Sequence, residues 1–222
     1  MFRDFLNLWK DKDTTTETLT MAVQTLKIDR EMFIESVKSL REDNDVDLQH
    51  TIYDKDEEVN KSERAIRKKV LMHLLVSGKS AINEGLILSS LVIDIERIGD
   101  YTKNIADLAE LHPKKMTCGK FKEPISQIEE QIKNYFDFTI DGFENSNKDA
   151  ARKVTNSYKK MSFQCSEMKK ELIGGEVNLS VGDAVSLALY LRFLKRVAAH
   201  LYNICTSVVN PFHRIGYKEK RK

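Results

Sequence analysis

The chain has 222 residues, 32% of them charged and 41% hydrophobic, and its net charge is only +2. That balance excludes a field strong enough to make nucleic acid the main partner, and nine glycines with three prolines are few for the turns of a sheet protein. The uncharged run at residues 85–93 falls far short of the roughly 20 residues a bilayer span requires. The longest such run, residues 197–213, is still shorter than that and holds two histidines, two asparagines and a proline, so no membrane insertion is expected. Cys118, Cys165 and Cys205 form no CxxC pair, which leaves neither a zinc knuckle nor a disulfide framework and suits reduced thiols in a cytoplasmic protein.

Phe2, Phe5, Leu6 and Trp9 recur at helical spacing, so residues 1–15 read as an amphipathic segment expected to pack on the protein's own body. Asp4 within it argues against a signal peptide. Asp11 to Thr16 is a polar break rich in N-cap residues. Leu19, Val23, Leu26, Met32, Phe33, Val37 and Leu40 mark a first long helix, followed by the acidic, turn-like Arg41 to Asp47. A second helix is expected from about Leu48 to Val76 on the stripe Ile52, Val59, Ile66, Val70 and Leu74, with Ser77-Gly78 as its stop. Ser80 is the expected N-cap of a third, which runs to Leu111 before Pro113. At 1.5 Å per residue that helix is roughly 45 Å long, a length suited to an elongated bundle.

Residues 113–123 form the expected linker. A fourth helix starts near Pro124, where proline suits the first turn, and continues through Ile125, Ile128, Ile132, Tyr135, Phe136 and Ile140. Ser146 with Asp149 resembles a capping box opening a fifth helix to about Ile173, closed by Gly174-Gly175. Ser180 with Asp183 opens a sixth to about Val209, and residues 211–222 read as a basic, solvated tail. The expected fold is all-α: two tandem three-helix bundles, residues 16–112 and 124–210, six long helices in all.

The halves are similar. ERIGDYTKNI (Glu96 to Ile105) aligns without a gap on KRVAAHLYNI (Lys195 to Ile204), at an offset of 99 residues. Arg97 meets Arg196, Gly99 meets Ala198, Asn104 meets Asn203 and Ile105 meets Ile204. Small residues at one position in both copies suit close helix contact. The acids do not repeat, because Glu96 faces Lys195 and Asp100 faces Ala199.

Glu96 and Asp100 stand i, i+4 with Leu91, Val92, Ile93, Ile95, Ile98 and Ile105 around them, so both carboxylates share one strip and repel unless a cation lies between them. A bound metal ion is the sharpest explanation. Two carboxylates are too few ligands, and the second helix supplies Asp56 and Asn60 at the same spacing, with Asp54 and Glu58 on a strip turned away. An oxygen-rich set of Glu96, Asp100, Asp56 and Asn60 suits hard cations or iron. The plainer alternative is a solvated acidic face in which Asp56 and Glu58 pair with Lys55 or Lys61. The matching helix of the second unit has no carboxylate between Asp149 and Glu167, so no metal site is expected there. No Glu-x-x-His pair, phosphate loop, G-x-S-x-G elbow or HExxH occurs. His200 reads as a core or partner-facing residue, and no enzyme is expected.

DIERIGDYTKNIADLA (Asp94 to Ala109) resembles the helix signature of the PhoU family, and DEEVN (Asp56 to Asn60) resembles its accompanying D-x-x-x-D segment with Asn60 in place of the second acid. The resemblance implies two tandem three-helix bundles and carboxylate pairs that hold metal ions, here on Glu96, Asp100, Asp56 and Asn60. Iron, zinc, manganese, magnesium or nickel would all be candidates. It implies a negative regulator of phosphate uptake working by protein–protein contact with a phosphate ABC transporter, a sensor histidine kinase, or both, with a homodimer among the expected assemblies. The lost acids of the second unit point to a specialised relative whose partner differs from the usual kinase. The alternative is a helical adaptor of the same fold without a functional metal, in which Glu96 pairs with Arg or Lys. A hydrolase or redox enzyme using the carboxylates is a third reading, opposed by the missing histidine ligands.

Overall fold

The computed structural model describes residues 13–42, 46–112, 115–175 and 177–219. Six long helices fill it: α1 (Asp13–Arg41), α2 (Val46–Ser77), α3 (Ile82–Leu111), α4 (Lys122–Glu144), α5 (Lys148–Ile173) and α6 (Val181–Val209). Among the described residues there is no strand, and no helix is long and apolar enough to cross a membrane. The segment bearing Phe2, Phe5, Leu6 and Trp9 lies outside the described residues, as do residues 43–45 of the acidic turn and Pro113.

The helix ends follow local chemistry, with three departures from the sequence reading. Residues 13–16, read as a polar break, are helical, since Asp and Thr are well suited to a first turn whose N–H groups lack intrahelical acceptors. The cap of α5 is Asn147, not Ser146: its side chain accepts from the N–H groups of Asp149 and Ala150, each at 3.1 Å. Ser146 takes φ 56° and so cannot hold the extended geometry of an N-cap. The N-cap position of α3 is Ala81 and carries no side-chain cap. Here α2 passes into α3 through a 3-10 turn, Gly78–Ala81, made possible by Gly78 at φ 59°. Ser180 caps α6 as expected, accepting from the Asp183 N–H at 3.1 Å.

Within each half the three helices pack on one another, and the halves are joined chiefly by α3 against α6 and α1 against α4. Asp94 meets Asn203 while Tyr101 meets Arg196, so α3 and α6 run antiparallel. One hydrophobic cluster draws on all six helices. Phe33 of α1 and Phe136 of α4 touch across the junction with ring centroids 5.6 Å apart. Arg41, at the end of α1, pairs with buried Glu129 of α4 at 3.2 Å, and Tyr190 of α6 donates to the same carboxylate at 2.6 Å. The three cysteines are free and buried. Burial pushes the thiol of Cys118 up to about 11 and those of Cys165 and Cys205 to about 12, so all three are neutral at physiological pH.

The first part of the tail, read as solvated, is tied down. The Gly216 N–H donates to Thr206 Oγ1 at 2.7 Å, Asn210 donates to the Tyr217 carbonyl at 2.7 Å, and Arg152 holds Glu219 through two bonds of 2.9 and 3.0 Å. Phe212 and Ile215 pack against the core, which gives the apolar reason for this return.

Candidate metal centre

Glu96 and Asp100 project from α3 one turn apart, both partly exposed. Arg97 lies between them, 2.8 Å from Asp100 Oδ2 and 3.5 Å from Glu96 Oε2. Burial, then the charge of Asp100, pushes the Glu96 carboxyl above its ordinary range, with Arg97 acting in the opposite sense.

On α2, Asp56 is buried and accepts from Lys103 of α3 at 2.7 Å and from the Asn60 amide at 3.2 Å. Asn60 thus orients the acid, as its place in the D-x-x-x-D pattern allows. The alternative pairings proposed for this face do not form. Lys55 reaches across to Glu31 and Glu35 of α1 at 3.3 and 2.8 Å, and Lys61 pairs with Glu57 at 2.8 Å. Asp54 and Glu58 are exposed.

The residue that the sequence reading missed is Asp29 of α1. Its side chain is fully buried and neither oxygen has a hydrogen-bond partner. Burial first, then the charges of Asp56, Glu96 and Asp100, push its carboxyl well above the ordinary range. Four carboxylates from three helices therefore act on one another at one place. Gly99 makes the approach possible. A Cβ at that position would stand 3.0 Å from Asp29 Oδ1 and 3.2 Å from Val59 Cγ1, so the small residue between Glu96 and Asp100 is the seat of the third acid. A signal existed in the sequence: Ala22, Leu26, Asp29, Phe33, Ser36 and Leu40 form one helical strip, and an acid on such a strip is bound to be buried.

The donors fit a cation. An unpaired buried carboxylate is strongly disfavoured, which is why burial holds the Asp29 carboxyl well above its ordinary range, and a hard cation would supply the missing partner. As the side chains stand, no group of three or more His, Cys, Asp or Glu among the described residues is arranged to hold an ion. Lys103 takes an oxygen of Asp56 and Arg97 one of Asp100, so an ion would have to displace both. In the second unit the place of Glu96 is filled by Lys195, which donates to Ser166 at 2.8 Å.

A second polar cluster joins the halves. His200, nearly buried, donates from Nδ1 to Asp94 Oδ1 at 2.7 Å, and Asn203 donates to the same oxygen at 3.0 Å. The imidazole stacks on Tyr101 at 5.8 Å, and the Arg196 guanidinium lies 5.2 Å from the Tyr101 ring centroid. His200 is thus a core residue with a partner. Replacing it by alanine leaves Asp94 with one donor and is expected to cost about 1–3 kcal/mol, measured by denaturant unfolding.

A tandem of three-helix bundles with an acidic face on its first unit defines the class. A family model described as the PhoU domain matches residues 22–109 and again residues 125–208. The chain belongs to the PhoU family. It is 28% identical over 174 residues to a phosphate-specific transport system accessory protein PhoU homolog of Pseudomonas putida, a match covering 74% of this chain and 66%, just under two thirds, of that protein. The crystal structure of PhoU from Pseudomonas aeruginosa is similar with a TM-score of 0.78 at 20% identity, covering 88% of this chain and 95% of that one. That of the phosphate transport system regulatory protein PhoU from Streptococcus pneumoniae has a TM-score of 0.68 at 18% identity, covering 94% and 95%. At these identities the two structures bear on the fold alone.

Proposed function

We propose that this protein is a cytoplasmic regulator of phosphate transport that restrains uptake by binding components of a phosphate transporter, its sensor kinase, or both. Family membership and the accessory role named for the Pseudomonas putida relative support that reading. We assign to its first unit a metal site built on Asp29, Asp56, Glu96 and Asp100, with Asn60 orienting Asp56. The observation that carries the site is Asp29, a fully buried carboxylate without a partner, facing three other acids. An ion there would tie α1, α2 and α3 together and fix the outer face of the unit as a docking surface. The chain's own side chains do the rest: Gly99 leaves room for Asp29, and Lys103 and Arg97 hold Asp56 and Asp100 when no ion does.

Those same cations favour a second reading, an adaptor whose acids are neutralised internally and need no ion. Elemental analysis separates the two. Purified protein is expected to carry metal that is lost in the Glu96→Ala, Asp100→Ala double variant, and equal content in both would establish the adaptor. Affinity capture from phosphate-replete and phosphate-starved cells tests the regulatory role, which requires transporter or kinase components to be retained in a phosphate-dependent way.

A further inference from the structure

Six bulky apolar side chains stand uncovered where α2 turns into α3: Leu71, Met72, Leu75 and Val76 on α2, Ile82 and Leu86 on α3. Such a cluster marks an interaction site. Leu74 fills the space beside Gly85, where a Cβ would meet it at 2.9 Å. The start of α3 therefore lies against the last turns of α2, and the two sets form one tip. Leu75 and Val76 are 71% and 84% exposed, as side chains are that project; the walls of a groove would cover its lining. At about 100° per residue the four on α2 fan over roughly 140° of its circumference. A flat partner would meet one side of that fan. A fluid surface entered end-on covers all of it.

The charge around the tip identifies that surface. From Arg64 to Ile93 the chain sets five cations, Arg64, Arg67, Lys68, Lys69 and Lys79, against one acid, Glu84, a balance of +4. Lys69 is held by Glu17 at 2.7 Å and Arg67 by Glu63 at 2.8 Å, while Arg64, Lys68 and Lys79 are exposed. The α5–α6 tip of the second unit serves as an internal comparison. Ile173 and Val181 are 78% and 82% exposed there, yet residues 167–192 carry three cations against four acids. Of the two tips, the first alone joins apolar to basic. That combination fits anionic phospholipid, whose headgroups attract Lys and Arg while the acyl boundary accepts apolar side chains to a depth of about 5–10 Å. Arg67 and Lys68 stand eight residues behind Leu75 and Val76, about 12 Å along the axis, and so meet the phosphates when the tip enters. Lys79, at the turn, can run its stem back along the apolar surface to the same level. We infer that the α2–α3 tip docks on an anionic lipid surface, its apolar side chains entering the headgroup boundary and its cations binding phosphate. The inference goes beyond the regulatory role and does not require it.

Co-sedimentation of the full-length chain with vesicles tests this. Binding is expected to vesicles of equal parts phosphatidylglycerol and phosphatidylcholine, to be absent with phosphatidylcholine alone, and to weaken as salt screens the headgroups. Leu75→Asp with Val76→Asp should lower the affinity at least tenfold, and Arg64→Glu with Lys68→Glu severalfold, each with helicity unchanged because all four side chains are exposed. Ile173→Asp with Val181→Asp, at the other tip, should have no effect. Because the three native thiols are buried, a polarity-sensitive dye can be placed on Val76→Cys, where its emission should move to the blue on adding the anionic vesicles; on Val181→Cys it should not. No binding to anionic vesicles would overturn the proposal, as would binding that ignores the Leu75 and Val76 substitutions or equals that to phosphatidylcholine. A chain that ignores vesicles but loses self-association in the Leu75→Asp, Val76→Asp variant would make the tip an interface between copies instead.

Discussion

Asp29→Asn is expected to stabilise the metal-free protein at neutral pH by about 1–3 kcal/mol, the scale on which an ill-matched buried polar group is penalised, and to abolish stabilisation by added metal. The direction follows from its raised pKa. Below the ordinary carboxylate pKa of about 4, Asp29 is protonated in both the folded and unfolded chain and has no effect. As pH rises beyond that, the unfolded chain ionises first, and stability falls until folded Asp29 also gives up its proton. Glu96, raised for the same reasons, adds in the same direction. The metal-free protein should therefore lose stability between mildly acidic and neutral pH relative to Asp29→Asn, whose own profile should be flatter. An ion reverses the balance by stabilising the ionised form, and at a hundred times Kd it adds about 2.7 kcal/mol. Thermal melts of both proteins across this pH range, with and without divalent metal, measure each part. Identical pH profiles, or an undiminished metal response in the variant, would remove Asp29 from the site.

Phe136→Ala is expected to cost about 3–5 kcal/mol, the usual range for a large aromatic side chain deleted from a packed core. Phe136 is fully buried and meets Phe33 across the α1–α4 junction. Because one apolar cluster runs through all six helices, the loss should lower a single unfolding transition of the whole chain. Calorimetry decides this by comparing calorimetric with van't Hoff enthalpy. A split in which α4–α6 melt first, leaving α1–α3 intact, would mean that the halves stand independently.

Much of the architecture was legible because long amphipathic helices advertise themselves. The apolar stripe from Ile52 to Leu74 placed α2, and the uninterrupted run before Pro113 placed α3, each within two residues of its observed ends. Reading was weakest at caps, where adjacent residues of similar chemistry compete. Ser146 and Asn147 are both good N-caps, and only the left-handed backbone at Ser146 decides between them. In the centre, Glu96, Asp100 and Asp56 stood out through their spacing as acids. Asp29 did not, because it forms no pair along the chain, and its meaning comes from Gly99 on another helix. Lys103, 47 residues from Asp56, was unreadable for a similar reason, since its partner is set by how α2 and α3 slide against each other.

The cluster around Asp94 bears on how a duplicated chain keeps its two halves distinct. At the repeat offset, Asp94 corresponds to Phe193 and His200 to Tyr101, so neither member of the Asp94–His200 pair exists twice. If α3 were set against a second α3 in the same antiparallel register, Asp94 would find a tyrosine where it needs an imidazole. Two copies of α6 would bury His200 beside Phe193. Exchange of units between chains through like-with-like pairing is thus penalised at a single point, and each first half is left with a reason to choose a second half.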